Sequence, residues 1–223
     1  MADLARAAGG FPFQVQDEAS QLVCRLLSAK PGEGIIDLCC GVGTKSGHIA
    51  QLTGNGCEIV AVDSSSARLA KARGNFKAYG NKNIKLVKAD VSKLVGLAAQ
   101  NVLLDVPCSG LGAIRHKPDI KWNRAESDIT ERYPKLQFEL LSAAARYVNP
   151  GGTLVYCTCT TEPEENEQVV ERFLASDKTF KLARPEFPLF SEELISEDGR
   201  FFRTYSHKHG TDCFFGAKFI KAG

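Results

Sequence analysis

The sequence lacks a long apolar run, a secretory leader and a strong excess of either charge. No apolar segment approaches the ~18 residues of a membrane span. The N-terminal stretch MADLARAAGG has no apolar centre of the kind that a signal peptide needs. The formal net charge is only +2, so the overall charge does not indicate a nucleic-acid ligand. These absences predict a cytoplasmic protein without a membrane anchor.

Internal repeats and low-complexity tracts are also missing. The 223 residues are enough for one well-buried α/β domain and too few for two ordinary ones. We therefore expect a single domain over residues 1–223, with a helical lead-in over 1–30 and the core over 31–223. The chain contains eight cysteines. Since no export signal precedes them, we do not expect a disulfide framework.

Short, near-continuously apolar runs alternate with longer helical patterns along most of the chain. Such strands are typical of a parallel sheet that is covered on both faces and connected by right-handed crossovers. The predicted strands are 34–39, 57–62, 84–89, 101–106 and 152–157, and the predicted helices are 16–29, 44–53, 65–79, 124–148 and 163–176.

The C-terminal part follows a different pattern, with two more strands predicted at 180–183 and 212–220. If these two strands pair as a hairpin, the last strand is antiparallel to the others. We therefore predict a Rossmann-like α/β fold with a mostly parallel seven-stranded sheet, an antiparallel last strand and helices on both faces. The segment 203–212 would then lie at the edge where open α/β sheets bind their ligands.

The first predicted strand leads into a glycine turn that opens a helix. Gly41 and Gly43 permit a tight turn and a close approach of the backbone to a ligand. The second and third strands end at Asp63 and Asp90, and a carboxylate at the second strand tip suits ribose hydroxyls. A glycine turn and two acidic strand tips in this order are what a class I S-adenosylmethionine pocket needs. A generic turn whose carboxylates cap helices is the alternative that remains open.

Two thiols follow the fourth and fifth strands. Asp105 and Cys108 come at the tip of the fourth strand, and Cys159 comes just after the fifth. Neighbouring parallel strands lie ~4.8 Å apart, so these tips can bring the three side chains around one cavity. Core cysteines and a zinc site are the alternatives. The spacing Cys157-x-Cys159 with one distant cysteine is not usual for zinc, and we expect no metal.

Methylation of cytosine at carbon 5 requires this set of groups. A thiolate that adds to carbon 6 makes carbon 5 nucleophilic, and an acid at ring N3, a task for Asp105, lowers the barrier. A base then removes the carbon 5 proton and the thiolate leaves. A free thiol is mostly protonated at pH 7, so the site must activate it, and Lys45 is the candidate positive neighbour. This chemistry does not rank the two thiols.

Five motifs together resemble the RsmB/Nop2/Sun family of RNA cytosine-5 methyltransferases. They are DLCCGVGTKSGHIA (37–50), AVDSSSARL (61–69), LLDVPCSGLGAIRHKPDIKW (103–122), LVYCTCTTEPEENEQVVERFL (154–174) and HGTDCFFGAKF (209–219). The segment QVQDEASQL (14–22) also looks like the lead-in of that family. The resemblance covers residues 14–221, and the combination of Pro-Cys, Thr-Cys and Pro-Glu-Glu-Asn is specific, although each motif alone is not.

The resemblance implies a role for each of these residues. Cys159 is the expected nucleophile, Cys108 is expected to assist product release, and Asp105 is expected to contact the cytosine beside the cofactor. Lys45 completes the expected catalytic set. The expected S-adenosylmethionine contacts are Cys39, Cys40, Gly41, Val42, Gly43, Thr44, Lys45, Asp63, Arg68, Asp90 and Asp105.

The chain departs from the family pattern at several positions. Val42 and Thr44 stand where the family usually has proline and glycine, which bears on cofactor affinity because the fixed φ of proline is lost. Cys213 and Ser206 replace a usual glycine and proline, outside the expected chemistry. Many members also carry a separate RNA-binding domain ahead of the catalytic one, so we expect such a domain or a partner to be missing from this chain.

Basic and aromatic side chains cluster after the fourth strand. This pattern suits phosphates and base stacking, and the alternative is a solvated loop in which Trp122 is a packing anchor. The expected RNA contacts are Arg115, His116, Lys117, Lys121, Trp122, Arg203 and His207. We expect Glu164, Glu165 and Glu167 to lie in the first turn of a helix, where acids complement its dipole, and Asn166 to lie close to Cys159.

The expected function is S-adenosylmethionine-dependent methylation of cytosine carbon 5 in RNA by a monomer. Ribosomal RNA of the small subunit is the expected substrate, on family frequency alone. A tRNA substrate is the first alternative. A non-catalytic RNA-binding assembly factor that retains the fold is the second, although binding alone does not need a pair of thiols.

Overall fold

Residues 13–186 and 192–223, which are those that the computed structural model describes, build one twisted sheet with helices packed against it. The strands are β1 (Gly34–Leu38), β2 (Glu58–Asp63), β3 (Ile84–Lys88), β4 (Ala99–Asp105), β5 (Val148–Thr158), β6 (Phe180–Ala183), β7 (Phe202–Arg203) and β8 (Phe215–Lys221). Their order is β3-β2-β1-β4-β5-β8-β6, with β7 paired to β8. The first five strands are parallel, whereas β8 is antiparallel to β5, β6 and β7.

Most of the described helices lie between consecutive strands, as expected for crossover connections. They are α1 (Glu18–Arg25), α2 (Thr44–Leu52), α3 (Ser66–Tyr79), α4 (Tyr133–Ala144), α5 (Glu167–Ser176) and α6 (Ser206–His209). Local sequence explains several of their ends. The Asp17 side chain accepts from the N–H of Ala19 at the start of α1, and Ser65 caps α3 in the same way. Gly80 ends α3 in the left-handed conformation.

Alternate residues of the central strands face two separate cores, one on each side of the sheet. Ile36 and Leu104 belong to the core that α4 and α5 cover. Ile35 and Leu103 belong to the core that α1 and α2 cover. Because side chains alternate along a strand, both faces of the parallel strands are apolar. The prediction of a mostly parallel α/β sheet with an antiparallel last strand is therefore confirmed.

The structure differs from the sequence-based prediction in several details. Strand β7 is an eighth strand, and its two residues are too short to give a periodic pattern. The helix predicted over 124–148 is divided into a π-helical turn, α4 and a 3₁₀ turn (Asp128–Arg132, Tyr133–Ala144 and Ala145–Tyr147), with Pro134 in the first turn of α4. The helix predicted from residue 163 begins at Glu167. No helix of the described residues is both long and apolar enough to cross a membrane.

Candidate active site

The carboxyl ends of four parallel strands bring the predicted site residues to one edge of the sheet. The glycine turn follows β1, Asp63 ends β2, and Asp105 ends β4. Cys159 follows β5 directly. Strands β1, β4 and β5 are neighbours, so the turn, the carboxylate and the thiol meet because parallel strands share the direction of their ends.

The two predicted thiols are in contact. The Sγ atoms of Cys108 and Cys159 lie 3.3 Å apart, within reach of an S–H···S hydrogen bond. A hydrogen bond from the Cys108 thiol lowers the pKa of Cys159, whereas the same bond and burial raise the pKa of Cys108. The thiolate therefore forms more readily on Cys159, and Cys108 keeps its proton. A proton donor and a potential nucleophile thus stand side by side.

Each of the two carboxylate oxygens of Asp105 has a partner. Its Oδ2 accepts a hydrogen bond of 2.6 Å from Lys45 Nζ, and its Oδ1 lies 3.4 Å from the thiol of Cys157. Lys45 also lies over the Phe214 ring, with Nζ 5.1 Å from its centroid. Burial, the largest single influence, lowers the pKa of Lys45, but the charge and hydrogen bond of Asp105 together with the Cys157 and Cys24 thiols raise that pKa overall. Lys45 is therefore a permanent cation that orients the carboxylate of Asp105.

Asn166 fixes the backbone around Cys159 from a buried position. Its Oδ1 accepts from the Thr158 hydroxyl at 2.6 Å, and its Nδ2 donates to the Thr160 carbonyl at 3.1 Å. The two partners are the residues immediately before and after Cys159. The side chain is fully buried. The sequence predicts that Asn166 lies close to Cys159, and in the structure its two hydrogen bonds go to the neighbours of Cys159 on either side.

Glu165 lies before α5 rather than in its first turn, and its side chain is fully buried. Its Oε2 accepts from the backbone N–H of Ser109 and from Gln137 Nε2, each at 2.8 Å. Ser109 follows Cys108, so this carboxylate positions the loop that carries the second thiol. The expectation that Glu165 serves the helix dipole is therefore wrong. A buried acid next to solvated ones has no distinct sequence signal, so the burial of Glu165 could not be predicted. Gln137, on α4, likewise has no sequence signal for its contact with Glu165.

Gly112 connects the thiol segment to the C-terminal part of the chain. Its N–H donates to the Cys159 carbonyl at 2.9 Å, and its carbonyl accepts from the N–H of Cys213 at 3.0 Å. A Cβ atom at this position would lie 2.8 Å from the Cys159 carbonyl oxygen and in steric conflict with the Cys213 carbonyl. Only glycine allows this close approach of three backbone segments. Cys213, where the family usually has glycine, therefore contributes its backbone to the site.

The glycine turn is tied to the tip of β2. Cys39, Gly41 and Gly43 all have positive φ. The N–H of Gly41 donates to Asp63 Oδ2 at 2.9 Å, and Arg68 Nε lies 3.3 Å from Asp63 Oδ1. A Cβ atom at Gly41 would meet no atom within 4 Å, so the turn borders open space. Backbone that curls around an open space beside a buried carboxylate is the cradle expected for a nucleoside ligand.

The remaining predicted cofactor contacts lie in or beside this turn, except for Asp90. The Val42 carbonyl accepts from Asn75 Nδ2 at 3.0 Å, and the Thr44 hydroxyl accepts from Gln14 Nε2 at 2.8 Å. These hydrogen bonds hold the two positions of the turn at which the chain departs from its family. Burial keeps the Cys40 thiol protonated by raising its pKa. Asp90 is exposed at the tip of β3, where hydrogen bonds from Ser92 lower its pKa and keep it ionised.

The predicted RNA contacts divide into exposed and engaged side chains. Trp122 is 79% exposed, with Lys121 Nζ 5.0 Å from the centroid of its ring. Lys117 and His207 are also exposed. Arg203, in contrast, is largely covered and pairs with Glu167 and with the Tyr205 hydroxyl. The exposed stretch 117–122 and His207 are thus the parts of the predicted surface that are free to meet a ligand.

Arg115 and His116 fasten that stretch to the C-terminal part of the chain. His116 Nδ1 lies 2.9 Å from Asp212 Oδ1, and Arg115 donates to the Gly210 carbonyl. Asp17, His116 and Asp212 are close enough for a metal ion, but the Asp17 and Asp212 carboxylates already accept hydrogen bonds from the protein. These contacts give the cluster a structural role, joining the lead-in, the basic stretch and the tail.

Solved structures of similar proteins define the class. NSun6 from Pyrococcus horikoshii, crystallised with SFG, has a TM-score of 0.86 and 37% identity over 98% of this chain and 55% of that chain. A methyltransferase homologue from the same organism has a TM-score of 0.78 and 31% identity, over 93% of this chain and 68% of that chain. The protein has the Rossmann-like fold of the S-adenosylmethionine-dependent methyltransferases.

The family follows from the sequence comparisons. A family model described as 16S rRNA methyltransferase RsmB/F matches residues 24–220, and the chain belongs to this family. A probable ribosomal RNA small subunit methyltransferase B from Synechocystis is 37% identical over 94% of this chain and 48% of its own length. A tRNA (cytosine(72)-C(5))-methyltransferase from Pyrococcus horikoshii is 38% identical over 94% and 52%. The family predicted from the motifs is confirmed, and the chain spans about half the length of these relatives.

Proposed function

We propose that this chain is the catalytic region of an S-adenosylmethionine-dependent RNA cytosine-5 methyltransferase. The observation that carries the proposal is the contact of Cys108 and Cys159 at 3.3 Å beside the Lys45–Asp105 ion pair. Two thiols of unequal acidity and an oriented carboxylate suit covalent catalysis on a pyrimidine better than they suit a zinc site or a core. Ribosomal RNA of the small subunit is the proposed substrate, since relatives such as that from Synechocystis have that name.

The glycine turn and its neighbours fit S-adenosylmethionine. The open space at Gly41 and the buried Asp63 offer backbone and carboxylate acceptors for the nucleoside part. The residues proposed to hold it are Cys39, Cys40, Gly41, Val42, Gly43, Thr44, Lys45, Asp63, Arg68, Asp90 and Asp105. The bound cofactor supplies the methyl group as an electrophile. A relative solved with SFG, an analogue of this cofactor, supports the assignment.

Cys159 is the proposed nucleophile. Its lowered pKa makes the thiolate available, and Asn166 holds its backbone in place. The thiolate adds to carbon 6 of the cytosine and forms an S–C6 bond, which makes carbon 5 nucleophilic. Asp105, oriented by Lys45, contacts the N3 edge of the ring. The base must be extruded from structured RNA to reach this thiol.

Cys108 is proposed to assist product release. After carbon 5 has received the methyl group, its proton must leave and the S–C6 bond must break. The electron pair of the C5–H bond restores the C5–C6 double bond, and Cys159 leaves as a thiolate. Cys108 lies within hydrogen-bond distance of the leaving sulphur. In the adduct Cys159 is a thioether rather than a thiolate, so Cys108 no longer donates to it, releases its proton to solvent and then accepts the carbon 5 proton.

The exposed stretch 117–122 is proposed to hold the RNA near this site. Trp122 presents an uncovered ring for base stacking, and Lys117 and Lys121 present cations for phosphates. Arg115 and His116 serve the same surface by fastening it, while His207 and Arg203 lie on the neighbouring segment. A single domain over residues 1–223, a monomeric state, a cytoplasmic location and an RNA-binding domain or partner beyond this chain stay predictions.

Two other substrates or functions remain as rivals. A tRNA substrate is supported by the Pyrococcus horikoshii relative, which is named for tRNA. A non-catalytic assembly factor would need the fold and the basic surface but not the thiol pair. Calorimetry of S-adenosylmethionine binding distinguishes the proposed enzyme from the assembly factor, because a factor without catalysis has no need to bind this cofactor.

Incubation with methyl-tritiated S-adenosylmethionine and total rRNA or tRNA tests the proposal. The expected result is labelled 5-methylcytosine in RNA digests, and its absence from every RNA would overturn the proposal. Cys159→Ser should abolish transfer. Cys108→Ala should leave a protein–RNA adduct that runs slowly on a denaturing gel, while Cys213→Ala should behave as the unmodified chain. An adduct with Cys159→Ser and none with Cys108→Ala would invert the two roles.

A further inference from the structure

A groove that is separate from the thiols runs along the outer side of α2. It encloses about 550 Å³ and lies between the lead-in segment, α2 and the end of α3. Thr44 at one end of the groove precedes Lys45, the residue that contacts Asp105. Since α2 has nine residues and an α-helix rises ~1.5 Å per residue, the whole groove lies within a short distance of the candidate active site.

Side-chain amides dominate the lining of this groove. No Asp, Glu, Lys or Arg is among the described residues that line it. His48 belongs to the lining as well, and burial together with the charge of Arg25 lowers its pKa, which keeps its imidazole neutral at pH 7. A neutral lining excludes a phosphate or a cation as the preferred ligand. The amides are those of Gln14, Gln16, Gln21, Gln51, Asn55 and Asn81.

The amide hydrogen bonds leave acceptors available in the groove. The nitrogen atoms of Gln14 and Asn81 donate to Thr44 and to Asn55, respectively. Their carbonyl oxygens converge on Gly47, where a Cβ atom would lie 3.9 Å from Gln14 Oε1 and 3.7 Å from Asn81 Oδ1. The Asn81 oxygen is buried and has no partner. A ligand for this point must therefore donate hydrogen bonds.

Aromatic side chains complete the groove. Phe13 is 37% exposed, and Tyr79, whose hydroxyl donates to the Phe13 carbonyl at 3.2 Å, lies beside it. Exposed rings offer stacking surfaces for a planar ligand. Amide acceptors, aromatic rings and a neutral imidazole are the groups by which proteins bind unpaired bases of RNA.

We propose that this groove binds a nucleobase with an exocyclic amino group, in the stretch of RNA beside the base that reaches the thiols. The inference rests on the proposed function and specifies part of its substrate. Adenine, cytosine and guanine carry such an amino group, which donates to the carbonyl oxygens at Gly47. Uracil carries none, and its single ring N3–H can donate to only one of the two oxygens. The groove thus favours amino bases over uracil in the bound RNA.

Fluorescence anisotropy with labelled twelve-nucleotide oligo(A), oligo(C) and oligo(U) tests this binding directly. The unmodified chain should bind the first two more tightly than oligo(U). Gly47→Leu fills the groove and should weaken binding of oligo(A) and oligo(C) about tenfold without weakening that of oligo(U). Asn81→Leu keeps a similar volume, removes the unpartnered oxygen, and should have the same effect.

Gly74→Leu is the matched control, because Gly74 lies on α3 with open space around it. This variant should keep the preference of the unmodified chain. Equal affinity of the unmodified chain for all three oligonucleotides, or unchanged binding by both groove variants, would overturn the inference. Methylation measured in parallel separates the two proposals. A base preference without methyl transfer supports the groove and contradicts the proposed function. Methyl transfer together with unchanged oligonucleotide binding by both groove variants supports the proposed function and contradicts the groove.

Discussion

The Sγ atoms of Cys108 and Cys159 lie 3.3 Å apart, and the hydrogen bond between them divides the acidity of the pair unequally. The residue that receives the hydrogen bond, Cys159, has the lowered pKa, and the donor has the raised one. Chemistry applied to the sequence required two thiols and did not rank them. The contact brings the two thiols together, and the assignment of Cys159 as the nucleophile stays a prediction from the family resemblance.

Replacing Cys108 by alanine should raise the pKa of Cys159, because the thiolate loses its hydrogen-bond donor while burial still disfavours its charge. The measurement is the rate of iodoacetamide alkylation at Cys159 against pH, read by peptide mass spectrometry. The midpoint should move to higher pH in the variant, and the rate at pH 7 should fall.

Cys213→Ala is the control for alkylation, since the Cys213 thiol contacts Ser206 rather than the pair. Its midpoint should match that of the unmodified chain. A midpoint for Cys108→Ala that stays in place or moves to lower pH would show that the contact does not activate Cys159.

Replacing Lys45 by methionine should lower kcat by at least about 10²-fold, because Asp105 loses the partner that orients it. The change also leaves a partly buried carboxylate unpaired, which should cost up to about 3 kcal/mol of unfolding free energy. Single-turnover kinetics and urea unfolding measure the two effects. The double variant Lys45→Met with Asp105→Asn should recover stability and remain inactive.

Lys71→Met serves as the control for the lysine change, because Lys71 is exposed on α3. Lys71→Met should change neither kcat nor the free energy of unfolding. Recovery of activity together with stability in the double variant would contradict a role for the ion pair in catalysis.

Asn166→Ala should lower kcat by about 10²-fold, because two hydrogen bonds that hold the backbone around Cys159 are lost. The buried Thr158 hydroxyl and Thr160 carbonyl lose their partner, which should also lower the unfolding free energy by about 1–3 kcal/mol. Asn166→Asp keeps the acceptor for Thr158, so its kcat should lie between that of Asn166→Ala and that of the unmodified chain. Rates are measured well below the melting temperature, with Glu164→Ala as the control.

A merely structural role for Asn166 would give a different result. The melting temperature would fall, but kcat of the folded variant would match that of the unmodified chain, and the aspartate variant would recover nothing beyond stability.

The strand-tip residues could be predicted from the sequence because they are local. Short apolar runs mark the strands, and the residues at the end of each run or just after it lie at a known edge of a parallel sheet. Asp63, Asp105 and Cys159 follow from this rule alone. The neighbouring positions of β4 and β5 were an assumption, and the observed strand order satisfies it.

The buried polar contacts could not be predicted, because they depend on how loops return to the sheet. Glu165 and Glu164 are adjacent acids, yet only Glu165 is fully buried, where it binds the loop of Cys108. Arg203 counts as a free cation in the sequence, but its folded partner is Glu167. Pattern and charge do not encode these pairings, since the partners lie far apart along the chain.

Asp37 is another buried carboxyl without a sequence signal, and it predicts a pH dependence of stability. Burial raises its pKa to about 7, although a hydrogen bond from Ser46 opposes the change. Its Oδ1 has no partner. Between the unfolded pKa of about 4 and the folded value, the folded state holds more protons than the unfolded state. Stability should therefore fall as pH rises through this window.

Asp37→Asn removes this dependence, because the amide stays neutral and still accepts from Ser46. The variant should match the unmodified chain near pH 4 and be more stable by a few kcal/mol at pH 8, where the aspartate is charged and buried. Urea unfolding at pH 4, 6 and 8 measures the difference. Asp119→Asn, at an exposed position, should show no such trend. A stability gain that is equal at all three pH values would mean that Asp37 does not titrate in this window.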